Sequence, residues 1–311
     1  MGKTATRDAY GKALAEFGSD ERIVVLDADL SKSTKTSTFA AVYPERHFNM
    51  GIAEGNMMSV AAGLAACGKI VFASSFAMFA AVRAAEQVRN SICYPKLNVK
   101  VAATHAGLTV GEDGASHQCI EDVAVMRAIP GMTVVCPCDA IETKMAIKAA
   151  IEYDGPMYIR LGRLAVEDVF DVADYTFELG KGITVKDGKD VTIVASGLMV
   201  QESLKAVEIL AKEGISARLI DMHTIKPIDK DILIRAAKET GLIVTVEEHN
   251  LSGGLGSAVC EALAENYPCK VKMIGVEDKF GTSGTPAELL DMYGLTGEAI
   301  ATKVKAALAS K

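Results

Sequence analysis

Tryptophan is absent from the 311 residues, aromatics of all kinds make up 5%, and histidine occurs five times, so two imidazoles close together stand out. Basic clusters are missing as well. Against a formal charge of −7 no local run of Lys and Arg compensates, which argues against the electrostatic footprint of a nucleic-acid-binding protein. No stretch of about 18 uninterrupted apolar residues occurs. The amino terminus, Met1-Gly-Lys-Thr-Ala-Thr-Arg-Asp, carries no apolar signal region. Neither a nucleic acid nor a membrane is therefore an expected partner, and a soluble, cytoplasmic protein is the expectation. Seven cysteines form an odd set, several of them inside apolar patterns such as Leu64-Ala-Ala-Cys67, as reduced thiols acting as small hydrophobes would.

Several catalytic and binding signatures are also lacking. Cys136-Pro137-Cys138 is the only close cysteine pair and has neither C-x-x-C spacing nor a second pair, which speaks against zinc. His105 and His117 have no helical or hairpin ligand spacing, so no metal site is expected there. A Walker A sequence and a G-x-S-x-G elbow are both missing. Gly253-Gly-Leu-Gly256 follows a strand pattern and opens a helix, but without the third glycine of a dinucleotide loop it reads as a tight turn with close helix packing.

What is present is the composition of packed globular domains, 50% hydrophobic and 23% charged, at a length comfortable for two domains. Apolar runs at Ile23 to Leu26, His47 to Met50, Lys69 to Ser74, Val99 to Thr104, Met132 to Cys136 and Met157 to Leu161 read as strands. Helical patterns fall between them: Thr6 to Phe17 with Gly18 as C-cap, Met57 to Cys67 ended by Gly68, Ile120 to Ala128, and a helix capped by Asp139 running to Tyr153. Phe76 is expected to open a further helix. After Arg163 the periodicity lapses through an acidic stretch, Glu167 to Asp174, and the alternation then resumes to Ala309. The fold class is α/β, two consecutive three-layer α/β/α domains with mostly parallel sheets.

The chemistry concentrates in Thr104 to Gln118, which holds His105, His117, Glu112 and Asp113 on a loop spaced by Gly107, Gly111 and Gly114. A loop leaving the carboxyl end of a strand in an open α/β sheet is where ligands usually bind. Its plain reading is a solvated connection, since Gly, Asp and Ser are ordinary loop residues. Glu54, just ahead of an apolar helix, is either a desolvated carboxylate or a helix-start glutamate favoured by the macrodipole. Phe76 and Phe79 are core residues or a stacking surface.

Together, Asn49-Met-Gly-Ile-Ala-Glu54-Gly-Asn-Met, Ala73-Ser-Ser-Phe76-Ala-Met-Phe79, Thr104-His105 through Gly-Glu-Asp113-Gly-Ala-Ser-His117-Gln, and Ile159-Arg-Leu-Gly-Arg163 resemble the C-terminal portion of transketolase, nearly end to end. The resemblance implies a pyrimidine-binding domain over 1–165, a connection over 166–182 and the family's C-terminal domain over 183–311. In that family an amino-terminal domain holds the diphosphate and a divalent metal of thiamine diphosphate through Gly-Asp-Gly and later asparagines. Here Gly111-Glu-Asp-Gly114 has an extra residue and no trailing Asn pair. The chain thus resembles the split form, a beta subunit that shares thiamine diphosphate with an amino-terminal section, the alpha subunit. That partner would bind Mg²⁺ or Ca²⁺. An α2β2 heterotetramer of the pentose phosphate pathway is implied, inactive without the partner and passing a two-carbon ketol unit from a ketose phosphate to an aldose phosphate.

By the same resemblance Glu54 hydrogen-bonds N1′ of the aminopyrimidine and so activates the cofactor. Phe76 and Phe79 surround the pyrimidine, although their spacing to Glu86-Gln87-Val88-Arg89 differs by about one residue from the single-chain enzymes. Asp29 matches an acidic residue close to the cofactor. His117 matches a histidine near the first hydroxyls of the substrate, Asp113 the carboxylate that reads the second hydroxyl, and His105 a substrate-binding histidine at the entrance. Arg7, Ser33 and Arg163 match a sugar-phosphate clamp, which suits guanidinium geometry. Arg160 has no counterpart, and Gly55-Asn56 departs from the usual aromatic. The alternative is the beta subunit of a thiamine-diphosphate-dependent 2-oxo acid or acetoin dehydrogenase. The set His105, Asp113 and His117 argues against it, because a decarboxylase needs no reader of sugar hydroxyls. A noncatalytic homologue is a third reading, opposed by the presence of Glu54.

Overall fold

The computed structural model describes residues 2–171 and 175–310. Its strands are β1 (Lys3–Ala5), β2 (Ile23–Asp27), β3 (His47–Asn49), β4 (Ile70–Phe76), β5 (Val99–Thr104), β6 (Thr133–Val135), β7 (Met157–Arg160), β8 (Ala165–Glu167), β9 (Ile183–Lys186), β10 (Val191–Ala195), β11 (Ala217–Asp221), β12 (Thr224–Lys226), β13 (Leu242–Asn250) and β14 (Lys270–Val276). A seven-stranded sheet has the order β12-β6-β7-β5-β4-β2-β3, and a five-stranded sheet the order β14-β13-β10-β11-β9. Each is parallel except for one antiparallel edge strand, β12 in the first and β9 in the second. The two-domain α/β architecture with mostly parallel sheets is therefore present.

Why these segments become central strands follows from their side chains. Every residue of β2, β4 and β5 is buried, as in strands covered by helices on both faces, which read as continuous apolar runs rather than as alternation. The covering helices include Thr6–Phe17, Glu54–Ala66 and Ala140–Glu152 around the larger sheet. Met199–Lys212, Lys230–Thr240 and Leu255–Asn266 serve the smaller one. Asp139 caps its helix as expected, its side chain accepting from the Glu142 amide at 2.7 Å. No helix among the described residues is long and apolar enough to cross a membrane.

Gly18 stands at the C-cap as expected, in the right-handed region (φ −66°). Its role is close packing, because a Cβ there would lie 2.3 Å from the Tyr43 ring. Phe76 is the last residue of β4 rather than the first of a helix. The helix expected from Met57 begins at Glu54, and it is not buried all round: Asn56, Ser59, Gly63 and Ala66 face outward. The polar loop after β2 contains a helical turn, Ser31–Thr34, built on a buried Asp27 that accepts from the Leu30 amide and the Thr34 hydroxyl at 2.6 Å each. Within the expected connection, β8 pairs with β1, and residues 172–174 lie outside the described residues. The Gly253 to Gly256 segment is the tight turn it resembled. The Glu247 carboxylate fills it, accepting from the Leu255 amide at 2.6 Å and the Gly256 amide at 2.8 Å.

The two sheets are not independent. β12 lies between β11 and the helix Lys230–Thr240 in sequence, yet it pairs with β6 and completes the larger sheet. Lys226 at its end donates to the carbonyls of Arg127 (2.8 Å) and Ile129 (2.6 Å), at the carboxyl end of the helix Asp122–Ala128. Lys226→Met should destabilise the chain by about 1–2 kcal/mol, the scale of charge-assisted hydrogen bonds at a half-buried site. Urea unfolding at an unchanged m-value is the measurement. A loss below about 0.3 kcal/mol would show that the strap contributes nothing.

Candidate active site

The larger sheet presents the carboxyl ends of β2, β4 and β5 side by side, and the polar segments that leave them converge. Thr104 ends β5, and His105 follows in the left-handed region at φ 57°. This turns the imidazole back over the sheet, where it stacks on Phe76 with ring centroids 3.8 Å apart. Nε2 faces an Arg7 guanidinium nitrogen at 3.0 Å, which can only donate, so Nε2 is the acceptor. Nδ1 then carries the proton and donates to the Thr104 hydroxyl at 2.9 Å. Burial foremost, and then the charges of Arg7 and Arg163, pull the His105 pKa down to about 3. The ring is a neutral, oriented hydrogen-bonding group.

Behind it stands an aromatic wall. Phe76 and Phe79 are near-parallel, 6.0 Å apart, and His117 meets Phe79 edge-on at 5.4 Å. The Ser116 hydroxyl lies 3.0 Å from Nδ1 of His117. Arg83 covers Phe79 at 4.2 Å from the ring centroid and donates to Glu54 Oε2 at 3.1 Å. Glu54 is 3% exposed and occupies the first turn of its helix, where the backbone dipole favours a carboxylate. One unbroken line of contacts thus runs from Glu54 through Arg83, Phe79, Phe76 and His105 to Arg7 and the Ser33 carbonyl, which accepts from Arg7 at 3.1 Å. The helix that carries Phe79 is wound in wide π-turns over Met78–Arg83 and again over Val88–Cys93. Such turns hold an extra residue compared with an ordinary helical turn.

The Arg83 guanidinium also tests whether an aminopyrimidine suits this place. It is a planar N–H donor stacked on Phe79 and bonded to the Glu54 carboxylate, as an aminopyrimidine ring would be. The donor set and the flat apolar wall therefore fit that ring. Sequence reasoning missed Arg83. Its spacing of four from Phe79 was a usable signal, but its pairing with Glu54 was not readable along the chain.

The other residues fall around this line. Arg163 donates to the Val110 carbonyl and to Glu112 at 3.1 Å, so its charge faces the loop. Asp113 is exposed at the loop tip. Asp29, at φ 62°, accepts from the Asn49 side chain at 3.1 Å and stands on the β2 and β3 side of the site, outside the contact line. Arg160 is not part of the site surface: it is buried and ion-paired to Asp122 at 2.8 Å. Of the cysteines set aside for zinc, Cys138 lies with Glu142 and Asp221 inside the fold, their ligand atoms within 4.8 Å of one another. There Tyr175 donates to Glu142 at 2.5 Å, and burial lifts the pKa of both carboxyls, Glu142 to about 7.

The chain matches two family models. The transketolase pyrimidine-binding domain matches residues 2–168, and the transketolase C-terminal domain matches 180–300. A protein named as a transketolase C-terminal section from Methanocaldococcus jannaschii is 54% identical over 301 residues, covering 96% of this chain and 94% of its own. A 6-deoxy-6-sulfo-D-fructose transketolase subunit of a Clostridium species is 44% identical (94% and 91% covered). One of the subunits of an apulose-4-phosphate transketolase from Phocaeicola vulgatus is 41% identical (95% of each). The solved structure of a split-gene transketolase, an inactive beta4 tetramer, superposes with a TM-score of 0.90 at 56% identity over 99% of both chains.

The neutrality of His105 is open to direct measurement. Its ring ¹⁵N shifts should not move between pH 8 and pH 5, and Arg7→Ala should raise its pKa by removing the nearest cation. Because the folded pKa lies below the unfolded value of 6.5, protons bind the unfolded chain first. The contribution of this histidine to stability is whole above about pH 6.5 and is lost as pH falls towards 3. A titration midpoint above pH 6 would contradict the assignment.

Proposed function

The chain belongs to the transketolase family, and from that premise we propose that it is the catalytic beta subunit of a split, thiamine-diphosphate-dependent transketolase. It would transfer a two-carbon ketol unit between a ketose phosphate and an aldose phosphate. The observation that carries the reading is the continuous wall from Glu54 to Arg7, along which one side of a cofactor and a sugar would lie. Thiamine diphosphate, on which the family depends, supplies when bound the nucleophilic carbon that accepts the ketol fragment.

The residues of this chain divide the remaining work. Glu54 would accept a hydrogen bond from the aminopyrimidine edge and stabilise its protonated form, with Phe76 and Phe79 supplying the apolar wall around the ring. His105, neutral and aimed by Thr104 and Arg7, would offer Nε2 as an acceptor to a sugar hydroxyl in exchange for Arg7. His117 would act next to the reacting carbons and Asp113 would read the configuration of a hydroxyl. Arg7, Ser33 and Arg163 would hold the terminal anion, with Asp29 at the cofactor side. The sulfo-sugar and phospho-sugar specificities of the two named relatives suit a guanidinium clamp, since sulfonate and phosphate both take such pairs.

A partner carrying the diphosphate and the Mg²⁺ or Ca²⁺ site fits the helix that begins at Glu54. Its sequence is apolar and small, yet its Asn56, Ser59, Gly63 and Ala66 face is exposed, and Ile52 just before it is 78% exposed. We assign that face to an alpha subunit in an α2β2 assembly in the cytoplasm, within the pentose phosphate pathway. The beta-only tetramer of the related split-gene protein is named inactive, in keeping with this division. The 2-oxo acid dehydrogenase reading has no support among these relatives, which are named transketolases.

Two outcomes are expected. The purified chain should show no ketol transfer, and activity should arise on mixing with a transketolase amino-terminal section, thiamine diphosphate and Mg²⁺. Turnover by the chain alone, or turnover of pyruvate but not of ketose phosphates by the pair, would overturn the proposal. In the active pair Glu54→Gln should lower kcat about a hundredfold or more, the scale of a lost acid-base partner. Asp113→Ala should lower kcat/KM for the ketose roughly tenfold, with cofactor affinity unchanged.

A further inference from the structure

The smaller sheet has no part in the chemistry described so far, yet it reaches the sugar-facing loop at two levels. At the base, the loop is closed on itself by the Gly107 amide, which donates to the Cys119 carbonyl at 2.8 Å. Directly beneath lies Glu248 of β13, 6% exposed, its carboxylate accepting from the Thr109 amide at 2.5 Å. Gly107 (φ 82°) is where the two surfaces meet, since a Cβ there would stand 2.4 Å from the Glu248 carboxyl carbon. Next along β13 in the same contact, the Asn250 amide donates to the Ile120 carbonyl at 2.8 Å. At the outer level, Gln118 Nε2 donates to the Thr282 carbonyl at 2.9 Å, and a Cβ on Gly114 would meet the Ser283 hydroxyl at 2.6 Å.

We propose that the second domain is the platform that sets the sugar-recognition loop, and that Glu248 is its positioning residue. The inference rests on the assignment of that loop to sugar recognition. Glu248 touches no reacting atom. It fixes the backbone at Thr109, three residues beyond Ala106 and four beyond His105, and so decides where the loop can hold its imidazole. His105 is buried and bonded to Arg7 of the helix Thr6–Phe17 in the first domain, so the loop is gripped by one domain at its start and by the other at its turn. A carboxylate suits this place because buried amides need an acceptor, and a charged one holds them more firmly than a neutral one. Two of the three loop glycines follow from the same contact: Gly107 and Gly114 are positions where a side chain would strike the second domain.

The test compares Glu248→Ala, Glu248→Gln and Gly107→Ala with the parent in two settings. In the purified chain, hydrogen exchange of the peptide spanning 105–118 should speed up about tenfold or more in Glu248→Ala, while peptides from β4 and β10 hold their protection. Glu248→Gln keeps one acceptor oxygen for the Thr109 amide and should recover most of the protection. In the pair reconstituted with an amino-terminal section, KM for the ketose should rise roughly tenfold in Glu248→Ala, with kcat and half-saturation by thiamine diphosphate changed by less than about threefold. Gly107→Ala, which forces the loop off the carboxylate, should reproduce both effects. Unchanged loop exchange in Glu248→Ala overturns the proposal, as does a loss confined to kcat. Global loss of protection would likewise overturn it, by showing a structural role only. If the parent pair transfers no ketol unit, the functional reading fails, and the exchange arm still decides whether Glu248 holds the loop.

Discussion

Arg160 leaves the end of β7 for the interior and meets Asp122 at 2.8 Å, with the carboxylate fully buried and the guanidinium nearly so. Tyr158 donates to the same carboxylate oxygen at 2.7 Å, and His249 of β13 stands 3.9 Å from the other. The second arm of the guanidinium donates to the carbonyls of Cys119 and Glu248. One cation therefore ties together the larger sheet, the residue that closes the Thr104–Gln118 loop and strand β13 of the smaller sheet. Two charges removed from water are costly, and breaking such a pair by losing one partner costs on the order of 3–5 kcal/mol. The interface is accordingly committed to one arrangement.

Burial, and after it the charges of Arg7, Arg163 and Lys35, hold His105 neutral. The carboxylates are divided: Glu54 is buried on the aromatic side, and Asp113 and Glu112 lie out at the loop tip. Neutrality keeps Nε2 an acceptor, because a protonated His105 would face the Arg7 guanidinium with a donor. The site is built from strand ends. Only there can β2, β4 and β5, buried along their whole length, release polar residues next to one another.

Much of the fold could be read along the chain because burial on both faces leaves continuous apolar runs. Val99–Thr104, Ile23–Asp27 and Met157–Arg160 fall where those runs stand. Two three-residue strands, β3 and β6, lie inside such runs as well, but three others did not announce themselves. β1, β8 and β12 are three residues each, and what makes them strands is a partner distant in sequence. The wide turns at Met78–Arg83 escaped for a related reason: their period differs from an ordinary helix by less than the apolar pattern can register.

For the site, the sequence by itself determined the chemical inventory and much of its grouping: two imidazoles and two carboxylates on one glycine-spaced loop, a glutamate at a helix start, and two phenylalanines after a strand. Such features survive in sequence because loops and caps demand particular residues locally. The tertiary structure alone decided that Arg83 lies on Phe79 and Glu54, that His105 donates from one nitrogen and accepts at the other, and that Arg160 and Glu248 work between the sheets. The physical reason is range. A side chain's neighbours along the chain limit its conformation, but its protonation, its partner and its burial are set by groups 29, 98 or 139 residues away that only the packed sheets bring within hydrogen-bonding distance.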